Sequence, residues 1–137
     1  MRLEVTRRAE LAVRALVHLA TASDRVKGGV LAERLGTTAG FLPQVLSPLV
    51  ARSWVRSDPG PTGGYTLTAD LTRLSVLDVV EAVEGPTDTG RCVVEGRACE
   101  ARDPCALHDA WSRARASMLD ELRAQPVAAF VPAGGAP

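Results

Sequence analysis

Aromatic residues are scarce in this chain, with two Trp, two Phe and one Tyr among 137 residues. The core must therefore be built mainly from Leu, Val and Ala, and that composition favours helices. No stretch approaches the roughly 20 consecutive apolar residues needed to span a bilayer. The N-terminus lacks the apolar run and cleavage site of a signal peptide. The expectation is a cytoplasmic protein with no membrane partner. Cysteine occurs at only three positions, an odd number that cannot pair completely within one chain. In a reducing compartment, metal or redox chemistry is a better first reading than a structural staple. There is no C-x-x-C pair and no internal repeat. What remains is one domain of ordinary composition, 46% apolar and 23% charged, with a single modest core.

Net charge is zero, but it is unevenly distributed. Residues 1–75 hold ten Lys/Arg against six Asp/Glu, a balance of +4. The remainder holds six Arg against ten acids, a balance of −4. A basic front half suits an anionic partner there, although so mild an asymmetry does not specify nucleic acid.

The segment "TRRAELAVRALVHLATAS" places Leu11, Ala12, Ala15, Leu16, Leu19 and Ala20 on one helical stripe, predicting a helix over about 6–22. Val30–Leu35 predicts a short helix, with Gly36 as its C-cap. Thr37 or Thr38 can cap the next helix, expected over about 39–52, with Leu42, Val45, Leu46 and Leu49 on one face. Pro43 is tolerable in a first turn, whereas Pro48 should bend or loosen the helix. Trp54–Ser57 and Tyr65–Thr68 look like two short strands around the Pro/Gly turn "DPGPTGG". Ser75 caps a further helix that Gly85-Pro86 stops. "PCALHDAWSRARASMLDELRA" predicts a last helix of about 20 residues, its stripe made of Leu107, Trp111, Ala114, Met118 (or Leu119) and Leu122. Such a helix often packs on a second copy of itself. The tail "QPVAAFVPAGGAP" is expected to fray.

Two helices joined by a tight Gly-containing turn, with a hairpin directly after them, make a winged helix-turn-helix. The second helix of that motif enters the major groove of double-stranded DNA. Its exposed start would present Thr37, Thr38, Gly40, Phe41 and Gln44 to bases. Arg7, Arg8, Arg52 and Arg56 are candidates for phosphate contact. The wing, with Gly63, Gly64 and Tyr65, could lie close to the DNA backbone or enter a minor groove. The same order of elements also occurs in units that only bind other proteins.

All three cysteines fall in "RCVVEGRACEARDPCALH". Cys92, Cys99 and Cys105 are spaced C-x6-C-x5-C, with His108 three residues further on. Cys105 and His108 are expected on the first turn of the last helix, on one face. Thiolates suit zinc or iron–sulfur clusters. Zinc sites commonly use C-x2–4-C knuckles, and these wider spacings fit a polynuclear cluster better. The alternatives are free thiols or a redox-switched disulfide with one cysteine left over. His108 reads equally well as a plain polar residue at a helix start. His18, alone on the first helix, reads as a packing residue rather than a ligand. A thiol redox enzyme would need a substrate-binding loop, and none is recognisable here.

Taken together, "LAERLGTTAGFLPQVLSPL", "VRSDPGPTGGYTLT", "LSVLDVVEAVEG" and the three-cysteine loop resemble the IscR/NsrR-type winged-helix regulators. These are bacterial transcription factors, many of which bind iron–sulfur clusters. The resemblance covers about residues 4–123. It implies a mainly α (α+β) fold: a winged helix-turn-helix over 1–85, a cluster-binding loop over 86–108, a dimerisation helix over 105–125 and a flexible tail over 126–137. It also implies a homodimer on a palindromic operator, acting as a repressor that senses nitric oxide, redox state or iron and cluster supply. The cluster, 4Fe–4S or 2Fe–2S, would be held by Cys92, Cys99 and Cys105. The fourth ligand would be His108 or, from the first helix of the partner chain, the residue at Glu10. A metal-free thiol-sensing repressor is the alternative. The chain departs from the family pattern at Asp58-Pro59, where relatives often carry Arg before the first wing Gly. Pro43 and Pro48 in the recognition helix are also unusual.

Overall fold

The computed structural model describes residues 2–87, 93–94 and 104–133. Helix α1 spans Arg7–Thr21 and is the centre of the molecule. The Thr6 hydroxyl caps it, accepting from the Ala9 N–H at 3.2 Å. Its buried face is Ala9, Leu11, Ala12, Ala15, Leu16 and Leu19. The alternation of Ala with Leu lets neighbours approach closely, and helices α2 (Gly28–Leu35), α3 (Leu42–Ala51) and α4 (Val76–Glu84) all pack on α1. Each fully buried Leu in this core stabilises the fold by about 2 kcal/mol.

Helix α2 ends at Gly36, whose φ of 71° is the left-handed conformation expected of a glycine C-cap. Thr38 caps the next segment, its hydroxyl accepting from the Phe41 N–H at 3.1 Å. The cap opens a turn over 39–41, and regular helix starts only at Leu42, later than the sequence pattern suggests. Pro43 falls in the first turn, where a missing N–H costs nothing, and Pro48 lies inside the helix. Leu42, Val45, Leu46 and Leu49 are all buried, as expected.

Strands β1 (Val55–Asp58) and β2 (Gly64–Leu67) form the antiparallel hairpin, pairing from Val55↔Leu67 to Asp58↔Gly64. A bridge between Val26 and Tyr65 ties the hairpin to the segment before α2. Helix α4 begins with a reciprocal capping box. The Ser75 hydroxyl accepts from the Asp78 N–H at 3.0 Å, and the Asp78 carboxylate accepts from the Ser75 N–H at 2.9 Å.

Two expectations need correction. Helix α5 spans His108–Ala124, so Cys105 precedes the helix and does not share its first turn with His108. A turn joins them instead, the His108 N–H donating to the Cys105 carbonyl at 3.0 Å. The segment after α5 does not fray over 126–131. Val127–Phe130 is a 3-10 helix, and Val127 is fully buried. Backbone bonds Val76 N–H to Gln125 O (2.9 Å), Val127 N–H to Leu74 O (2.8 Å) and Ala128 N–H to Leu71 O (3.0 Å) hold it against the start of α4. Pairing of backbone groups, invisible to a hydrophobicity count, anchors this segment.

Candidate nucleic-acid interface and cysteine loop

The solvent face of α3 carries Pro43, Gln44 and Ser47. Gln44 is thus presented outward from a helix whose opposite side is locked in the core. Ahead of it, Thr38 and Gly40 are exposed, Thr37 is half-buried, and Phe41 packs partly against the core. Phe41 therefore braces the turn more than it offers a surface. Arg52, at the end of α3, stacks its guanidinium 5.6 Å from the centre of the Trp54 ring. This cation–π contact steadies an exposed positive charge at the base of the wing.

In the wing, Arg56 Nε lies 3.2 Å from Asp58 Oδ2, and Arg25 lies 4.0 Å from the same oxygen. Asp58 is thus the centre of a three-charge cluster. The sequence pattern does not single out Arg25 and Lys27, because "SDRVKGG" reads as a simple turn. The Val26–Tyr65 bridge brings both beside the hairpin. Only their share in the basic front half hints at a role. Gly63 and Gly64 are needed for packing. A Cβ on Gly63 would overlap the carbonyl oxygen of Asp58, and one on Gly64, at φ 145°, would sit 2.6 Å from the carbonyl oxygen of Val26. Tyr65 is half-buried and packs on the core.

At the start of α1, Arg7 pairs with Glu10 at 3.1 Å, and Arg14 approaches the same carboxylate at 3.6 Å. Arg14 also donates to the Leu35 carbonyl at 3.2 Å. Arg8 is half-buried and donates through Nε to the Gln44 carbonyl at 3.1 Å and through Nη1 to the Val83 carbonyl at 3.3 Å. The Thr6 hydroxyl donates to the Glu84 carboxylate at 2.5 Å. The first turn of α1 is therefore tied both to the recognition helix and to the last turn of α4, from which the cysteine loop departs.

Cys92 and Cys99 lie outside the described residues. Cys105 is buried just ahead of α5, and His108 is half-buried at its first residue. His18 sits half-buried in α1. Burial, with the positive charges of Arg14 and Arg34, holds its pKa below the ordinary 6.5. A neutral imidazole there fits the packing role expected of it. Helix α5 buries no residue in the single chain. Met118 and Leu107 stay exposed, and Met118, Leu119 and Leu122 border an apolar groove of about 400 Å³ against Val80 and residues 2–6. Among the described residues no helix is long and apolar enough to cross a membrane.

The profile of the Rrf2 family, described as iron-dependent transcriptional regulator, matches residues 5–133. The chain belongs to the Rrf2 family. Its curated relatives include the putative HTH-type transcriptional regulator Rv1287 of Mycobacterium tuberculosis, 37% identical over 136 residues and covering 98% of this chain and 83% of that protein. The HTH-type transcriptional regulator IscR of Escherichia coli is 32% identical over 111 residues, covering 80% and 68%. Among solved structures, CymR, the global cysteine regulator of B. subtilis, superposes with a TM-score of 0.71 at 21% identity over 92% of this chain and 94% of that one. IscR of T. potens superposes with a TM-score of 0.70 at 23% identity, covering 92% and 84%. These likenesses bear out the winged helix-turn-helix fold. As an Rrf2 protein the chain is a DNA-binding transcriptional regulator, not an enzyme.

Proposed function

We propose that this Rrf2 protein is a homodimeric repressor of a palindromic operator, and that its three-cysteine loop holds an iron–sulfur cluster that controls DNA affinity. The observation that carries this reading is the linkage at the start of α1. Thr6 and Arg8 bond the last turn of α4, where the cysteine loop opens, and Arg8 also bonds the recognition helix. A change transmitted to the end of α4 would thereby lie one hydrogen-bond step from the DNA-reading element. Coupling of about 1–3 kcal/mol between loop and helix changes affinity roughly 5- to 150-fold.

The donor set fits such a group. Three thiols supply soft ligands, and a histidine or carboxylate completes four. Cys92, Cys99 and Cys105 would hold the cluster, with His108 or the Glu10 position of the partner chain as fourth ligand. His108 is joined to Cys105 through one hydrogen-bonded turn. Glu10 is already engaged by Arg7 and Arg14 and would have to exchange those partners. When bound, the cluster supplies a centre reactive toward oxidants and nitric oxide. Gln44, Thr37, Thr38 and Gly40 would read bases. Arg7, Arg52 and Arg56 would contact phosphates, with Gly63, Gly64 and Tyr65 shaping the wing. The exposed stripe of α5 would be covered by a second copy.

Anaerobically purified protein should contain iron and acid-labile sulfide and absorb in the visible. Cys99→Ala should lose most of that absorption. A Cys99→Ala protein that keeps it would remove the cluster assignment. A second reading is a metal-free thiol switch, in which the same three cysteines respond to oxidation directly. Anaerobic protein without iron, but with DNA binding that responds to thiol oxidation, would select that reading.

A further inference from the structure

Pro48 has no N–H, so the carbonyl of Gln44, four residues earlier in α3, lacks the amide donor that would close its helical i+4 bond. Val83 lies in the last turn of α4, where helix carbonyls also lack an intrahelical donor. The two orphaned oxygens belong to different helices. A single guanidinium takes both, with Arg8 Nε donating to Gln44 O at 3.1 Å and Nη1 to Val83 O at 3.3 Å. The planar fork of an arginine can serve two separated acceptors at once, which a single ammonium does poorly. Helix α3 meanwhile continues past the proline, the Arg52 N–H reaching the Pro48 carbonyl at 3.2 Å. The interruption is therefore local and leaves one acceptor turned toward α1.

We infer that Arg8 and Pro48 form a matched pair, in which Pro48 exposes the Gln44 carbonyl and Arg8 uses it to set the pose of the recognition helix against the end of α4. Arg8 is then a positioning residue, not a phosphate contact. The base-facing side chain of Gln44 hangs from the peptide that Arg8 holds. The part of this inference that concerns the cysteine loop rests on the proposed function above, because Val83 lies two residues before the Gly85-Pro86 break that opens the loop. The pairing itself does not depend on that reading.

The test is a double-mutant cycle on the full chain, using R8M, P48A and R8M/P48A, with R8K as a milder variant. DNA duplexes are first selected from a random pool by the wild type, and affinity is then measured across a salt series. R8M should weaken binding about tenfold with an unchanged salt slope, because no phosphate contact is lost. In the P48A background the restored N–H satisfies Gln44 O, so R8M should there cost no more than about threefold. R8K should fall between wild type and R8M. Equal losses in both backgrounds, or a salt slope reduced by about one unit, would overturn the pairing and return Arg8 to the DNA backbone. If the wild type selects no duplex, the DNA-reading assignment fails. The pairing is then decided by the same cycle in thermal unfolding, where R8M should lower Tm less in P48A than in the wild type. Additive Tm losses would overturn it.

Discussion

Gly63 sits directly against the backbone of Asp58, so close that a Cβ on Gly63 would overlap the Asp58 carbonyl oxygen and lie 2.7 Å from that of Pro59. The opposing atoms are backbone and cannot rotate away. Gly63→Ala should therefore destabilise the protein by about 3 kcal/mol and distort the wing. Urea unfolding reads the loss. A stability within experimental error of the wild type would show that the hairpin can open without cost.

Asp58 holds Arg56 at 3.2 Å and Arg25 at 4.0 Å. The pairs are exposed and contribute little to stability. Their consequence is electrostatic, since two arginines beside the wing are partly neutralised. Asp58→Asn should raise affinity for duplex DNA roughly threefold at low salt and steepen its salt dependence. Unchanged binding would mean that the wing face does not approach DNA.

The exposed apolar stripe of α5 includes Met118, which is 42% exposed. If a second copy covers it, Met118→Glu buries a charge at that contact and should yield monomers in sedimentation equilibrium, with the helical circular dichroism retained. A dimer of undiminished affinity would place the contact elsewhere.

Val127 is fully buried although it lies beyond the last long helix. Val127→Ala should cost about 2 kcal/mol in chemical denaturation. A cost near zero would mean that the 3-10 segment is held by its backbone bonds alone.

His18 carries a pKa lowered first by burial and then by Arg14 and Arg34. The unfolded chain therefore binds its proton more readily than the folded one. Stability should be fully present above the ordinary value of 6.5 and decline as pH falls from there toward the folded-state value, below which the loss is complete. His18→Gln should flatten this part of the stability profile, below the ordinary value of 6.5. A profile unchanged by the substitution would assign the acid sensitivity to other groups.

Much of this architecture is legible from periodicity and punctuation alone. The apolar stripes of α1 and α3, the Gly36 cap, the Ser75 cap and the "DPGPTGG" turn each act within a few residues, so local spacing reveals them. Element boundaries move by a few residues where turn chemistry intervenes, as at 39–41, where the Thr38 cap delays α3. The spacing of Cys105 to His108 fits a helix, but a hydrogen-bonded turn fits it equally well, and only the folded backbone separates the two.

The sequence by itself determined the order of helices and wing, the exposure of Gln44 and the gathering of thiols into one segment. The tertiary structure decided how the charged side chains are employed. A count of arginines cannot separate Arg8, which spans two helix carbonyls, from Arg56, which meets Asp58, or Arg14, which is shared by Glu10 and Leu35 O. Hydrophobic period is a property of neighbours in sequence. The partner of a guanidinium is chosen by whichever acceptor the packed helices leave unsatisfied within reach, and that is known only once the helices are packed.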